Sequence, residues 1–245
     1  RTCTMGREIY CHGILDYSGR ENRRIREVRE IHRKLQAMKD VAGGIYQARV
    51  GMIRDYDNIW DAQLDVWHGR LEKESQKAFF EAAQLTHTPF DYVYLDETTT
   101  AERLEKYQVL FYPHGAILTE DQVKILEDYV ENGGILVAGC RSGYKDITGK
   151  CVMEDLPGLL APLTGTDIPE YTAIAPDTGT VTIDWDGTRM EASIFAEQLE
   201  AAGPDARIAG VYMDDYYSGS GALVENRYGK GRAYYHRSAY TPESV

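Results

Sequence analysis

The sequence predicts an α/β protein, a parallel sheet with flanking helices followed by a β-rich segment. Three observations carry the prediction. Between about residues 46 and 138, short apolar runs of strand character alternate with helical patterns, which is the signature of βαβ units and a parallel sheet. From about residue 171 the helical patterns stop, and strand-like runs follow one another across Gly- and Asp-containing turns. The composition, 27% charged and 43% hydrophobic over 245 residues, is that of an ordinary globular chain of one large domain or two smaller ones.

The elements follow in order. Ile9, Tyr10, Ile14 and Leu15 read as the end of an apolar strand, with a turn at residues 16–19. Ile25, Val28, Ile31, His32, Leu35 and Met38 then recur at helical spacing, so a helix over about 21–39 presents one apolar face, with Arg23, Arg24, Arg26 and Arg29 on a solvated one. This helix is expected to cover apolar surface. After Gly43-Gly44, residues 46–53 alternate as a strand, followed by a loop carrying Tyr56 and Trp60, with Trp67 beyond. Residues 71–85 are helical, 92–95 a strand, 101–106 a short helix and 109–112 a strand ending at Pro113. Thr119-Glu-Asp-Gln122 is a capping box opening a helix through Val130, which Asn132-Gly-Gly134 ends; residues 135–138 are a buried strand. The layer fold this describes is flavodoxin-like or class I glutamine amidotransferase-like. Further strands are expected at 171–175, 181–185, 189–194, 208–213, 222–226 and 232–236.

Charge divides unevenly along the chain. Residues 1–40 hold ten Lys/Arg and six Asp/Glu, net +4, while the remainder holds 17 against 33, net -16. The boundary near Gly43-Gly44 suggests one unit over 1–44 and another over 45–245, α/β to about 165 and β-rich thereafter. A net charge of -12 offers no general attraction for a phosphate backbone, which argues against nucleic acid. The longest apolar run, at 134–140, is far short of the ~18 residues of a membrane span. The chain opens on Arg1 without a leader pattern, so it reads as a piece of a longer or processed protein. Cys3, Cys11, Cys140 and Cys151 form no C-x-x-C pair, which suggests neither a zinc site nor a disulfide framework. A reducing cytoplasm is the expected setting, with no cofactor and no metal.

Candidate chemistry is sparse. Cys140 follows a buried strand, as a nucleophile does in an amidotransferase-like elbow, but its neighbours Ala138 and Ser142 are not glycines and a loop follows. His114 ends another strand, at the sheet edge where open α/β folds bind ligands. Asp184-x-Asp186-Gly187 has a faint calcium-loop look that a β-turn explains better. Asp214-Asp-Tyr-Tyr217 suits sugar stacking or a polar hairpin tip equally well. Tyr228-Gly-Lys-Gly231 is a hairpin turn and lacks the pattern of a phosphate loop. Eighteen tyrosines permit carbohydrate contact or protein interfaces alike. No carboxylate pair stands in a recognisable glycosidase setting, so the residues alone point to a binding or structural module.

Several stretches together resemble a known family. Cys11-His-Gly-Ile-Leu-Asp16 and Gly19-Arg-Glu-Asn-Arg-Arg24 resemble the last strand and helix of the catalytic barrel of glycoside hydrolase family 42 β-galactosidases. Val50-Gly-Met-Ile53 with Asp55-Tyr-Asp-Asn-Ile-Trp60 resembles the start of that family's second, trimerisation domain. Val109-Leu-Phe-Tyr-Pro113, Leu118-Thr-Glu120, Tyr129-Val-Glu-Asn-Gly-Gly134, Arg141-Ser-Gly143 and Tyr228-Gly-Lys-Gly231 follow in the family's order. The resemblance implies a barrel-derived strand and helix over 1–44, then an amidotransferase-like layer that has lost glutaminase chemistry.

By that resemblance the family's catalytic glutamates belong to earlier barrel strands, so no catalytic residue is expected in this chain. It would be a non-catalytic module that associates as a homotrimer. His12 and Glu8 would contact the galactoside only in the intact parent, a retaining β-galactosidase. Tyr56, Trp60 and Trp67 are the expected interface aromatics. The alternatives are an active cysteine-dependent amidotransferase-like domain, which would need a reactive Cys140, and a carbohydrate-binding module of another glycosidase.

Overall fold

The computed structural model describes residues 13–15, 18–175 and 179–245. The chain divides into two compact units, Arg1–Tyr46 and Gln47–Val245.

In the first unit the expected helix forms as α1 (Arg23–Ala37), capped by the Asn22 side chain, which accepts the Ile25 N–H. The Asn22 amide also donates to the Ile14 carbonyl, and Arg24 donates to the Gly13 carbonyl, tying the helix start to the preceding segment. Ile31, Leu35 and Met38 of its apolar stripe are exposed. Glu8, Ile9, Tyr10 and His12 lie outside the described residues.

The second unit is built on one sheet. Strands β1 (Val50–Arg54), β2 (Phe90–Tyr94), β3 (Val109–Tyr112) and β4 (Ile135–Gly139) alternate with helices α2 (Tyr56–Leu64), α3 (Val66–Leu85), α4 (Ala101–Leu104) and α5 (Glu120–Glu131). β1 pairs in parallel with β2 and β3, and β3 pairs in parallel with β4. Short α6 (Ala161–Thr164) leads into β5 (Thr166–Ala173), β6 (Val181–Trp185), β7 (Thr188–Ala192), β8 (Phe195–Ala201), β9 (Ala206–Tyr212), β10 (Gly221–Tyr228) and β11 (Gly231–His236).

The β-rich segment is no appendage. β11 returns to lie parallel beside β4, Arg232 opposite Ile135 and His236 opposite Gly139, and its hairpin with β10 carries the same sheet onward through β9, β6 and β7. β5 and β8 form a separate antiparallel ribbon, joined to β10 where Gly221 meets Leu199.

Both faces of β1, β3 and β4 are covered, so these strands read as nearly continuous apolar runs. Leu110 and Leu136 point to one face, where Val123, Leu126, Tyr129 and Val130 of α5 pack on them. Met52 and Phe111 point to the other, under Ala78 and Phe79 of α3 and Tyr240. Burying each such side chain contributes about 1.5–3 kcal/mol. The capping box of α5 forms in full: Thr119 Oγ1 accepts the Gln122 N–H at 3.2 Å and Gln122 Oε1 accepts the Thr119 N–H at 3.0 Å.

Among the differences from the sequence reading, two bear on the candidate site. The loop expected after β1 is α2, whose buried face is held by a polar residue: Asn58 donates to the Tyr112 hydroxyl and the Ile117 carbonyl and accepts the Ile117 N–H at 2.8 Å. The strand β8 was not anticipated, because its buried positions include a carboxylate, Glu197, which interrupts an apolar pattern.

Candidate functional site

The strand ends of β3 and β4 bring Cys140 and His114 together, two residues that the sequence presents separately. Gly139 makes the approach possible, since a Cβ there would stand 1.6 Å from the Pro113 carbonyl oxygen. Arg141, directly after the cysteine, takes the left-handed conformation at φ +62°, uncommon for a residue with a side chain. Its backbone N–H donates to Glu197 Oε1 at 2.8 Å, and its guanidinium reaches Asp65 through both Nη1 and Nη2, at 3.3 and 2.9 Å.

The Cys140 sulfur lies 3.7 Å from His114 Nδ1, close enough to suggest a nucleophile and its base. The hydrogen bonds assign the histidine another role. His114 Nδ1 sits 2.8 Å from the Cys140 carbonyl oxygen, an acceptor, so Nδ1 carries the proton and donates it there. Nε2 faces Ser75 Oγ at 2.7 Å, and because that oxygen already accepts the Tyr240 N–H at 2.8 Å, its own hydrogen is free to donate to Nε2. Neither ring nitrogen is left to take a proton from sulfur.

Electrostatics agree. Burial, and then the Glu197 carboxyl, push the Cys140 thiol well above its usual range. Burial also holds His114 down to about 3. No helix starts at the thiol, since β4 runs into a turn, so the helix N-terminus that lowers the pKa of reactive cysteines is missing. Both side chains are buried. The elbow is therefore a packed strand end, with a protonated thiol and a histidine spent on structure.

Around it runs a polar network that the sequence reading missed. Lys145 Nζ bonds Asp61 Oδ1 at 2.8 Å and Asp65 Oδ2 at 2.9 Å, and His68 sits 2.6 Å from Asp61 and 3.1 Å from the His114 carbonyl. Asp65 is also the N-cap of α3, accepting the Trp67 and His68 N–H groups. Burial raises its pKa, but the bonds from Lys145, His68 and Arg141 outweigh that and hold the carboxyl well below the carboxylate range. Deeper still, Glu197 Oε1 accepts the Tyr144 hydroxyl at 2.8 Å, and burial pushes this carboxyl up to about 7. The i, i+4 spacing of Asp61 and Asp65 was a visible signal; Glu197 had none, because its partners Arg141 and Tyr144 come from the loop beyond β4, more than fifty residues earlier in the chain.

The predicted interface aromatics lie on exposed positions of α2 and α3, Trp67 beside the Asp65 cap. Tyr56 and Trp60 are 55% and 59% exposed on α2, their rings 5.8 Å apart, beside a cleft of about 600 Å³ that Asp55, Asp96, Asp121 and Gln122 also line. Trp67, at the start of α3, is exposed beneath the Arg70 guanidinium, 5.4 Å from the ring centroid. The acidic motifs are turns: Asp184 Oδ1 accepts the Gly187 N–H between β6 and β7, and Asp214 Oδ2 accepts the Thr182 N–H. Among the described residues no cluster of His, Cys, Asp or Glu could hold a metal ion, and no helix is long and apolar enough to cross a membrane.

The profile of the beta-galactosidase trimerisation domain matches residues 48–245. This chain belongs to that family. Beta-galactosidase Pbg of Clostridium perfringens is 31% identical to it over 240 residues, 91% of this chain and 33% of the relative. Among solved structures, the GH42 beta-galactosidase Gan42B of G. stearothermophilus superposes with a TM-score of 0.77 at 25% identity, over 95% of this chain and 34% of that one. A beta-galactosidase from Rahnella sp. R3 shares the fold at a TM-score of 0.82 and 24% identity, over 98% of this chain and 36% of its own. The chain thus spans about a third of the length of the relatives it matches. The trimerisation domain occupies nearly all of the second unit.

Proposed function

We propose that this chain is a non-catalytic assembly module of a retaining, cytoplasmic β-galactosidase, and that it joins three copies into a homotrimer. The observation that carries the reading is the coincidence of the trimerisation-domain match over residues 48–245 with a closed Cys140 elbow, in which no nucleophile is exposed. Residues 1–44 are the last strand and helix of the parent's catalytic barrel. Their exposed Ile31, Leu35 and Met38 stripe is the face that the rest of such a barrel covers. His12 and Glu8 contact the galactoside in the intact parent, and Tyr56, Trp60 and Trp67 serve the contact between copies.

The test pairs two assays on the same purified chain. Sedimentation equilibrium is expected to give three chain masses, and a chromogenic galactoside is expected to stay intact. Galactoside turnover that survives repurification would contradict the non-catalytic reading, and rapid alkylation of Cys140 at neutral pH would favour the cysteine-dependent one.

A further inference from the structure

Among the described residues the largest side chain to be fully buried is an arginine, Arg237, placed directly after β11. Long basic side chains usually bury the stem and keep the charged head in water. Here the backbone is pinned with the head inside. The Glu197 N–H donates to the Arg237 carbonyl at 3.2 Å, and the next residue is held in both directions, Ser238 Oγ donating to the Ser193 carbonyl at 2.7 Å and accepting the Ser193 N–H at 3.2 Å. The guanidinium thus lies near Cys140 and Tyr212, where β4, β8 and β11 end.

Its charge finds no counter-charge among the described residues. A guanidinium keeps its proton in proteins, and burial lowers this one only to about 10. Nη1 donates to His236 Nε2, and because His236 Nδ1 faces the Ser238 carbonyl at 3.0 Å and donates there, that ring is neutral. The Tyr212 hydroxyl donates to the Glu197 carbonyl at 3.0 Å and, like the Cys140 thiol, is kept neutral by burial. Glu197 turns its carboxyl to the Arg141 N–H, Tyr144 and Tyr235 instead. Arg237 Nε and Nη2 are left without a hydrogen-bond partner among the described residues. Burying a charge is costly unless it is paired and hydrogen-bonded, so these two donors call for an acceptor that carries negative charge.

We propose that Arg237 Nε and Nη2 bind a small monovalent anion, with chloride as its simplest form, between the ends of β4, β8 and β11. The class follows from the surroundings. One positive charge calls for one negative charge, both free atoms are donors, and full enclosure favours a small singly charged ion over phosphate or sulfate, whose larger charge is harder to take out of water. The ion would knit three strand ends together within each chain, independently of how copies assemble.

The experiment compares the full chain with Arg237→Met. Thermal melting is followed as sodium chloride replaces sodium gluconate at constant ionic strength, and crystals of the unsubstituted chain are soaked in bromide for anomalous diffraction. The unsubstituted chain is expected to gain roughly 5 °C, saturably, at about a hundredfold excess of chloride over its dissociation constant, while Arg237→Met melts alike in both salts. Bromide is expected to give an anomalous peak in hydrogen-bond contact with Arg237 Nε and Nη2. Should Arg237→Met fail to fold, the bromide peak and the melting of the unsubstituted chain decide the matter. Ordered water at both nitrogens, with no anomalous signal there, would overturn the site. A bromide peak in a chain that melts alike in chloride and gluconate would mark an adventitious ion only and overturn it equally.

Discussion

His114 Nδ1 lies 2.8 Å from the carbonyl oxygen of Cys140 and 3.7 Å from its sulfur. The α/β layer thus sets a cysteine and a histidine side by side at its strand ends while the histidine's proton is given to the backbone. The bond ties together the chain ends leaving parallel β3 and β4, because a buried N–H to carbonyl bond contributes about 1 kcal/mol and leaving either partner unmet costs more.

Cys140 should resist alkylation in the folded protein. With iodoacetamide at pH 7.5, peptide mass spectrometry is expected to show exposed Cys151 modified at least a hundredfold faster than Cys140. Equal rates under native conditions would contradict the packed-thiol description.

Glu197 gives a pH signature. Its folded pKa is raised from 4.5 to about 7, so the folded state holds a proton that the unfolded chain has already released. Stability from this group therefore falls as pH rises from about 4.5 to 7, by about 3 kcal/mol in all. His114 acts in the opposite sense, because only the unfolded ring takes a proton below about 6.5. The difference between variants separates the two: Glu197→Gln should gain stability relative to the unsubstituted protein between pH 5 and 7.5 in urea titrations.

Lys145 bridges Asp61 and Asp65 in a largely buried cluster. Lys145→Met leaves both carboxylates without that partner and is expected to cost about 3 kcal/mol by denaturant unfolding. Because the folded pKa values of both aspartates are depressed, the cluster's contribution is present above about pH 4 and is lost as the pH falls further. Acid unfolding of the variant should accordingly be less steep.

Thr119 closes the capping box of α5. Thr119→Ala should cost about 1 kcal/mol, read as a lowered urea midpoint with unchanged slope.

The layer architecture was legible in the sequence wherever local pattern and local chemistry coincide. Thr119-x-x-Gln122, the apolar run of β4 and the Gly229-Lys230 hairpin each appear where expected, because their partners are near in sequence. The return of β11 to β4 was not legible: Arg232 meets Ile135 across about a hundred residues, and no periodicity records it. Helix α2 was hidden because Asn58, not an apolar residue, holds its inner face. At the candidate site Cys140 and His114 were visible singly, and their proximity matches an amidotransferase-like layout. What disarms them comes from Ser75 on α3, Glu197 on β8 and the Tyr240 backbone, none of which has a local signature.

Assembly is the central claim, and the solution mass of the unsubstituted chain tests it most directly. Light scattering behind a sizing column, repeated over a hundredfold range of concentration, should converge on three times the 27.7 kDa chain mass. A mass that remains at one chain across that range would contradict the account.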